Sequence, residues 1–246
     1  MRLSDKIAIV SGGGSGFGAG IVRKFAKEGA KVIVADIQIE NAKKVAHAAG
    51  GVAVEVDVSN SLSFKNLVST TLEKFGKIDI MVNNAGITHT PKKMEDISEE
   101  EFDRIFSVNS KSVFLCAKYL VPLMTSNGGG NILNIASTAG ISPRPNLSWY
   151  NATKGWMISA TKAMAIELAS KKIRVNALAP VAGETPLLKS FMGGDTPEKR
   201  EKFLATIPIG RFSTPEDMGN AACFLCSEEA SMITGVVLQV DGGRCI

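Results

Sequence analysis

The glycine-rich run Ser11-Gly12-Gly13-Gly14-Ser15-Gly16-Phe17-Gly18 follows a short apolar stretch at 6–10 and precedes an amphipathic stretch at 19–27. A second apolar stretch comes next, at 31–36. The order of strand, tight turn, helix and strand is typical of a βαβ unit in which glycine lets the backbone turn sharply and lets a pyrophosphate approach it. The N–H groups at the start of the helix then face that anion. The run therefore predicts a dinucleotide site in this part of the chain.

Asp36 ends the second apolar stretch and is followed by Ile37. A carboxylate at this position can accept hydrogen bonds from the hydroxyls of the adenosine ribose, and it repels a 2′-phosphate. No basic residue follows that would offset the repulsion. The sequence therefore favours NAD(H) over NADP(H) as the cofactor, while a strand-end turn residue or a helix cap is the structural alternative for Asp36.

Tyr150 and Lys154 are four residues apart, and Ser137 precedes them by thirteen residues. Four residues is about one helical turn, so a helix here places the phenol and the ammonium on the same face. An ammonium beside a phenol favours the phenolate and lowers the phenol's pKa from its ordinary value near ~10. Ser137 can add a hydrogen bond to the oxygen that the phenol serves. This set predicts a general acid and base for an alcohol or carbonyl oxygen; the alternative is a surface lysine near a buried tyrosine.

The motifs together resemble those of the short-chain dehydrogenase/reductase family over essentially the whole chain. The run at 11–18 is similar to the family's T-G-x-x-x-G-x-G, with Ser11 in place of threonine. The other matching elements are Asp57-Val58, Asn83-Asn84-Ala85-Gly86, Asn109, the segment Pro180 to Thr185, and Asp241-Gly242-Gly243. The resemblance implies a catalytic tetrad of Asn109, Ser137, Tyr150 and Lys154.

The same resemblance implies where the cofactor lies. The residues that it places against NAD are Gly12, Ser15, Gly16, Phe17, Gly18, Asp36, Asp57, Val58, Asn84, Ala85, Gly86, Tyr150, Lys154, Gly183 and Thr185. Among them, Lys154 is expected to bind the nicotinamide ribose and Thr185 the nicotinamide amide. Asn109 is expected to hold a water that links Lys154 to solvent.

Strand-like and helix-like segments alternate along the chain. We expect strands near 6–11, 31–36, 52–57, 78–82, 130–136, 173–179 and 235–240, and helices near 16–28, 38–48, 60–75, 99–125, 149–171 and 215–227. Such alternation indicates a parallel sheet with helices on both faces. The predicted fold is a doubly wound, seven-stranded α/β sheet, a Rossmann fold, in one domain over residues 1–246. The segment 181–208 is the exception, and we expect it to be a substrate-side loop acting as a mobile lid, with an ordered surface excursion as the alternative.

Composition excludes several classes of protein. The net charge of the 246 residues is +4, and no run of five like charges occurs, so nucleic acid is not an expected partner. No apolar stretch reaches ~18 residues, so we expect no membrane span and a cytoplasmic location. Cys223 and Cys226 have C-x-x-C spacing, but they lie in an apolar helical stretch without a second ligand pair, so we expect core cysteines and no metal site.

The residues and the resemblance together predict NAD(H)-dependent interconversion of a secondary alcohol and a ketone, with Tyr150 as general acid and base. A 3-oxoacyl-thioester reductase (acting on acyl carrier protein or coenzyme A) and a non-catalytic, NADH-sensing regulatory protein are the alternatives. The expected substrate pocket is mostly apolar and comprises Thr138, Ala139, Ile141, Trp149, Ala182, Leu187 and Leu188. Whether His89, Arg144 or Glu184 contacts the substrate is left open. The resemblance implies a homotetramer built through the helices at 99–125 and 149–171.

Overall fold

A computed structural model describes residues 1–246 and contains one seven-stranded sheet in the order β3-β2-β1-β4-β5-β6-β7. The strands are β1 Ile7–Ser11, β2 Lys31–Asp36, β3 Val52–Glu55, β4 Ile80–Asn83, β5 Gly130–Ile135, β6 Ile173–Pro180 and β7 Val237–Val240. Every neighbouring pair is parallel. The strand order reverses between β1 and β4, and ligands bind outside the carboxyl ends of the strands at such a switch point. The predicted fold class is confirmed.

Nine α-helices surround the sheet. They are α1 Gly16–Lys27, α2 Ile39–Ala49, α3 Ser61–Phe75, α4 Glu99–Phe106, α5 Ser112–Ser126, α6 Ser148–Leu168, α7 Leu188–Met192, α8 Pro197–Leu204 and α9 Pro215–Cys226. None of them combines the length and the apolar character that a membrane span requires.

The core is divided between the two faces of the sheet. On one face, side chains of α1, α2 and α9 pack around Phe25, and both Cys223 and Cys226 lie buried among them. On the other face, side chains of α3, α5 and α6 pack around Phe64, and Cys116 lies among these. The helices therefore cover both faces, as predicted, and the C-x-x-C pair is part of the apolar core.

The helix predicted at 99–125 is interrupted in its middle. A π-helical turn, Ser107–Lys111, joins α4 to α5 and turns Asn109 into the protein, where it is fully buried. Single π-helical turns widen a helix by one residue and occur often at functional sites. The apolar periodicity of the segment carries no sign of this turn.

The segment 181–208, for which we predicted a substrate-side loop, contains the short helices α7 and α8. Thr196 caps α8 by accepting a hydrogen bond from the Lys199 N–H, and Pro197 occupies the first position of the helix, where proline is favoured. Five buried side chains give this segment a small core of its own; they are Val181, Leu188, Met192, Ile207 and Phe212. Phe212 belongs to this core although it lies just after the segment. The Val181 N–H also donates to the Val240 carbonyl, which ties the start of the segment to β7.

Candidate active site

A cleft of about 430 Å³ lies at the carboxyl ends of the strands. Most of the predicted site residues line it, namely Gly12, Ser15, Gly16, Phe17, Asp36, Asp57, Val58, Asn84, Ala85, Gly86, Ser137, Tyr150, Lys154, Gly183 and Thr185. Gly18 and Asn109 are the exceptions. A Cβ atom on Gly18 would collide with the carbonyl oxygen of Gly12, so Gly18 lies beneath the turn, where only glycine fits.

The glycine turn has the form of an anion cradle. Gly12 has a φ of +61°, and a Cβ atom there would lie 2.9 Å from the Cα atom of Ala85. Asn84 Nδ2 donates to the carbonyls of Ser11 (2.8 Å) and Gly12 (3.1 Å), so this side chain holds the turn in place. The Ser15 side chain makes no capping hydrogen bond to α1, whose first turn has no acidic residue. The N-terminal amides of α1 thus have no side-chain acceptor, and a pyrophosphate fits them.

Asp36 has the structural role that the sequence allowed, and it also lines the cleft. Its Oδ2 accepts from the Gly14 N–H and its Oδ1 from the Gln38 N–H, each at 2.9 Å, so it supports the turn and the start of α2. The same carboxylate lines the cleft beside the exposed Ile37. Each oxygen keeps a lone pair that can accept from a ribose hydroxyl, and no cation neutralises the carboxylate within ion-pair distance.

Ser137, Tyr150 and Lys154 come together at the inner end of the cleft, and all three are buried. Lys154 Nζ donates to the carbonyl of Ile135 at 2.8 Å and lies 5.8 Å from the centre of the Tyr150 ring. Burial lowers the pKa of Lys154 to about 8. Burial also raises the pKa of Tyr150 to about 12, although a hydrogen bond with Ser137 opposes that shift.

The expectation that Lys154 lowers the phenol's pKa is therefore wrong for the protein without its cofactor. The ammonium faces the Ile135 carbonyl and makes no hydrogen bond to the phenol. Desolvation of the phenolate then decides the pKa, because a buried anion without a close partner is disfavoured. The sequence spacing correctly places the two groups on one helical face, but it does not report how deeply they are buried.

Asn109 binds protein groups on two sides. Its Nδ2 donates to the carbonyl of Ile87 (2.9 Å) and to Thr153 Oγ1 (3.1 Å), and its Oδ1 accepts from the Ile87 N–H (2.9 Å). Thr153 Oγ1 in turn donates to the carbonyl of Tyr150 at 2.8 Å. Asn109 thus ties the loop after β4 to the first turn of α6. The water that we expected it to hold stays a prediction.

Several pocket predictions need correction. Of the expected substrate residues only Ala182, Leu187 and Leu188 line the cleft. Trp149 instead packs edge-on against Phe102, and its Nε1 donates to the Met94 carbonyl. Thr138, Ala139 and Ile141 do not line the cleft either; the first two belong to a buried 3₁₀ turn. Consecutive residues of a helix project in different directions, so chain neighbours of Ser137 and Tyr150 need not share their place in the cleft.

The three residues left open for substrate contact, His89, Arg144 and Glu184, lie outside the lining of the cleft. His89 is buried and its Nδ1 contacts the Thr90 carbonyl at 2.8 Å. Glu184 pairs with Arg200 at 3.0 Å. Phe191, which the sequence did not place in the pocket, lines the cleft and contacts Tyr150 edge-on with ring centres 5.6 Å apart. Its helix, α7, had no recognisable signal in a segment rich in glycine and proline.

Comparisons with known proteins agree with this geometry. A family model described as Enoyl-(Acyl carrier protein) reductase matches residues 12–244. The chain is 46% identical to 4-formylbenzenesulfonate dehydrogenase of Comamonas testosteroni, over 100% of both chains. The structure of 3-ketoacyl-(acyl-carrier-protein) reductase from Brucella melitensis complexed with NADH has a TM-score of 0.95 and 52% identity, over 99% of this chain and 100% of the other.

A third relative was solved with a bound ligand. The structure of 7α-hydroxysteroid dehydrogenase complexed with NADH and 7-oxo glycochenodeoxycholic acid has a TM-score of 0.92 and 39% identity, over 98% of this chain and 95% of the other. These proteins share the whole length of the fold with the chain, yet their names cover an aldehyde, a thioester and a steroid. Because the fold is shared while the named substrates differ, the difference in substrate is to be sought among the residues of the cleft.

Proposed function

The chain belongs to the short-chain dehydrogenase/reductase family, and on that premise we propose how its cleft carries out the family's chemistry. The protein is an NAD(H)-dependent oxidoreductase that acts on CH–OH groups and interconverts a secondary alcohol and a ketone. The observation that carries the proposal is the convergence of the glycine turn, Asp36 and the Ser137–Tyr150–Lys154 set in one cleft.

The residues of the cleft fit the cofactor. When bound, NAD(H) supplies the hydride chemistry. The glycine turn and the amides of α1 would hold its pyrophosphate, and Asp36 its adenosine ribose. Gly183 and Thr185 line the cleft beside Phe17 and Gly16, at the start of α1, and would contact the cofactor there.

Tyr150 moves the proton. In the reductive direction the phenol donates a proton to the carbonyl oxygen of the substrate, and its raised pKa keeps that proton in place at neutral pH. In the oxidative direction the phenolate accepts the hydroxyl proton. Lys154 has a single protein acceptor, the Ile135 carbonyl, so two of its three N–H groups are free to bind other groups in the cleft.

Ser137 orients the substrate oxygen. Its Oγ accepts from the Ala139 N–H at 3.1 Å, which fixes the side chain. Its own hydrogen can then be donated to the oxygen that Tyr150 serves. Proton transfer of this kind contributes typically ~10²–10⁴-fold to the rate.

The substitution Tyr150→Phe tests the proposal. We expect the variant to bind NADH as the wild type does, measured by fluorescence titration, and to lose turnover by about 10²–10⁴-fold because the proton donor is gone. Turnover is followed at the nicotinamide absorbance band with a panel of ketones, aldehydes and secondary alcohols. Turnover at the wild-type rate in the variant would contradict the role of Tyr150. If the wild type itself turns over none of the compounds, the NADH-sensing alternative is favoured.

A 3-oxoacyl-thioester reductase is the second candidate, favoured by the 52% identity to the reductase from Brucella melitensis. Arg104 lines the cleft, is exposed and forms no ion pair, so it could contact a phosphate of a thioester carrier. Acetoacetyl-coenzyme A separates the candidates. A kcat/KM well above that of simple ketones would assign the protein to thioester reduction.

We also propose a homotetramer and a cytoplasmic location. Exposed aromatic side chains of α4, α5 and α6 support the assembly; they are Phe102, Phe106, Phe114 and Trp156. The four cysteines are free, and three of them are buried, which suits a reducing compartment. Light scattering tests the assembly, and cell fractionation tests the location.

A further inference from the structure

Two arginines meet near the C-terminus without an acidic partner. Arg144 lies in the loop before α6, and its Nη2 donates to Thr206 Oγ1 at 3.2 Å. Arg244 lies in the turn after β7, and its Nη1 reaches the Ser142 Oγ at 3.5 Å. Neither guanidinium has a carboxylate within 4.0 Å, whereas Arg2, Arg200 and Arg211 all form ion pairs.

The environment of this pair is unfavourable for two cations. The Arg144 guanidinium is partly buried and stacks on Phe203, with its carbon 4.4 Å from the ring centre. Burial lowers the pKa of Arg144 to about 10, and the positive charge of Arg244 adds to the effect. The Arg244 Nε is buried and has no hydrogen-bond partner. Both the repulsion and the unpaired N–H cost free energy that a bound anion would recover.

The carboxylate of Asp241 forms no ion pair with either arginine. Asp241 shares the surroundings of Cys245 with both arginines. Its two oxygens accept from the N–H groups of Gly243 (3.0 Å) and Cys245 (2.9 Å) and shape the C-terminal turn. The positive charge of the pair is therefore available to a group from outside the chain.

A row of aromatic rings connects the pair to the catalytic tyrosine. Phe203, beneath Arg144, contacts Phe191 edge-on with ring centres 5.9 Å apart, and Phe191 contacts Tyr150 in the same way at 5.6 Å. Phe191 also lines the cleft. Phe203 and Arg144 lie beyond the lining of the cleft. A molecule whose reacting oxygen lies at Tyr150 and whose apolar body extends past Phe191 would carry its far end toward Arg144.

We propose that Arg144 and Arg244 form an oxyanion-binding subsite for the carboxylate, sulfonate or phosphate at the far end of an apolar substrate. Planar guanidinium groups bind such oxyanions through paired hydrogen bonds. The inference rests on the proposed function, because it deepens the substrate class of the same cleft.

Methyl ketones with and without a terminal carboxylate test the subsite. The oxo acids 4-oxopentanoate, 6-oxoheptanoate and 9-oxodecanoate are compared with alkan-2-ones of matched length, in wild type, Arg144→Met, Arg244→Met and the control Arg23→Met. Arg23 is an exposed arginine of α1 that forms no ion pair. We expect each subsite variant to raise the KM of the longest oxo acid about tenfold or more, the loss of a charge-assisted contact. The KM of the alkan-2-ones should change less than about twofold, as should every value in Arg23→Met.

Sulfate distinguishes a subsite that binds the charged end of the substrate from one that binds a free anion. If sulfate competes with 9-oxodecanoate but not with alkan-2-ones, the subsite binds the substrate. If sulfate instead raises the Tm of the wild type but not of the arginine variants, and leaves the KM of the oxo acids and of the alkan-2-ones unchanged, the subsite binds a free anion. Equal KM values for oxo acids in all four proteins, with no sulfate effect on Tm, would overturn the proposal. Turnover of alkan-2-ones in these proteins would leave the proposed function standing. If Arg144→Met does not fold, because the stacking on Phe203 is lost, Arg244→Met carries the test.

Discussion

Burial sets the protonation of the two central residues, Tyr150 and Lys154, in opposite directions. It favours the neutral phenol and the neutral amine, so the pKa of Tyr150 rises and that of Lys154 falls. At pH 7 the phenol holds its proton, and the amine, with a pKa of about 8, is still mostly charged. In the free protein Tyr150 can thus donate a proton at pH 7, and Lys154 loses its positive charge when the pH rises past about 8.

A pH profile tests the state of Lys154. We expect kcat/KM for NADH, which reports ionisations of the free enzyme, to fall as the pH rises through about 8, where Lys154 loses its proton. Lys154→Met should have a lower and flat profile in this range. Lys162→Met is the control, an exposed lysine on the same helix, and should keep the wild-type bend. A bend that persists in Lys154→Met would contradict the assignment.

Thr153 is predicted to position the catalytic helix. Its hydroxyl joins Asn109 to the backbone of Tyr150, and it is buried. Thr153→Val keeps the shape but leaves the Asn109 N–H group without its acceptor, which costs about 1–3 kcal/mol of unfolding free energy. We expect urea denaturation to show that loss and kcat to fall with little change in KM. Thr153→Ser restores the hydroxyl and should recover both; equal kcat in the two variants would argue for a purely structural role.

The sequence predicts the identities of the catalytic residues but not their surroundings. The spacing of Tyr150 and Lys154 follows from helical geometry, and the glycine turn follows from backbone conformation. The partner of Lys154, the Ile135 carbonyl, is nineteen positions away and comes from β5. Arg144 lies between two prolines, a pattern typical of an exposed loop, yet it stacks on Phe203 from a distant helix. Burial depends on such long-range contacts, which no local pattern reports.

At the scale of elements, two features escaped prediction because local composition does not report them. The glycines at 193 and 194 and Pro197 are typical of a loop, but Pro197 begins α8 and Gly193 ends α7 in a left-handed conformation. The π-helical turn at 107–111 leaves the apolar pattern unchanged and is held by Asn109 contacts across the fold. Residues that break helices also begin and end them, so local composition alone cannot separate the two cases.

Arg200 is predicted to hold the segment 181–208 together. Its Nε donates to Asp195 Oδ1 at 2.6 Å and its Nη1 to Glu184 Oε1 at 3.0 Å, so it joins α8 to the turn before it and to the start of the segment. We expect Arg200→Gln to speed hydrogen exchange across residues 184–204 and to raise the KM of the substrate. Arg211→Gln, which breaks a similar exposed pair with Asp217, is the matched control. The same exchange rates in both variants would show that Arg200 does not restrain the segment.

At the scale of the whole molecule, α4, α5 and α6 expose several large apolar side chains. Phe102 stacks on Phe106, and Phe106 contacts Trp156 edge-on, which joins α4 to α6. Phe114 on α5 is 54% exposed and Ile166 on α6 is 82% exposed. Exposed apolar patches on a folded domain mark sites of protein association. The helices that carry them are those expected to pair in a tetramer.

A single charge on this surface tests the assembly. We expect the wild type to have the mass of four chains in light scattering, and Phe114→Asp to form smaller species, because a carboxylate buried in an apolar interface without a partner is strongly disfavoured. Ala48→Asp is the control; it adds the same charge to an exposed position of α2, which packs beside β2 and the edge strand β3. Circular dichroism should show both variants folded. A monomeric wild type would contradict the tetramer, and an unchanged mass in Phe114→Asp would mean that the chains associate through a different surface.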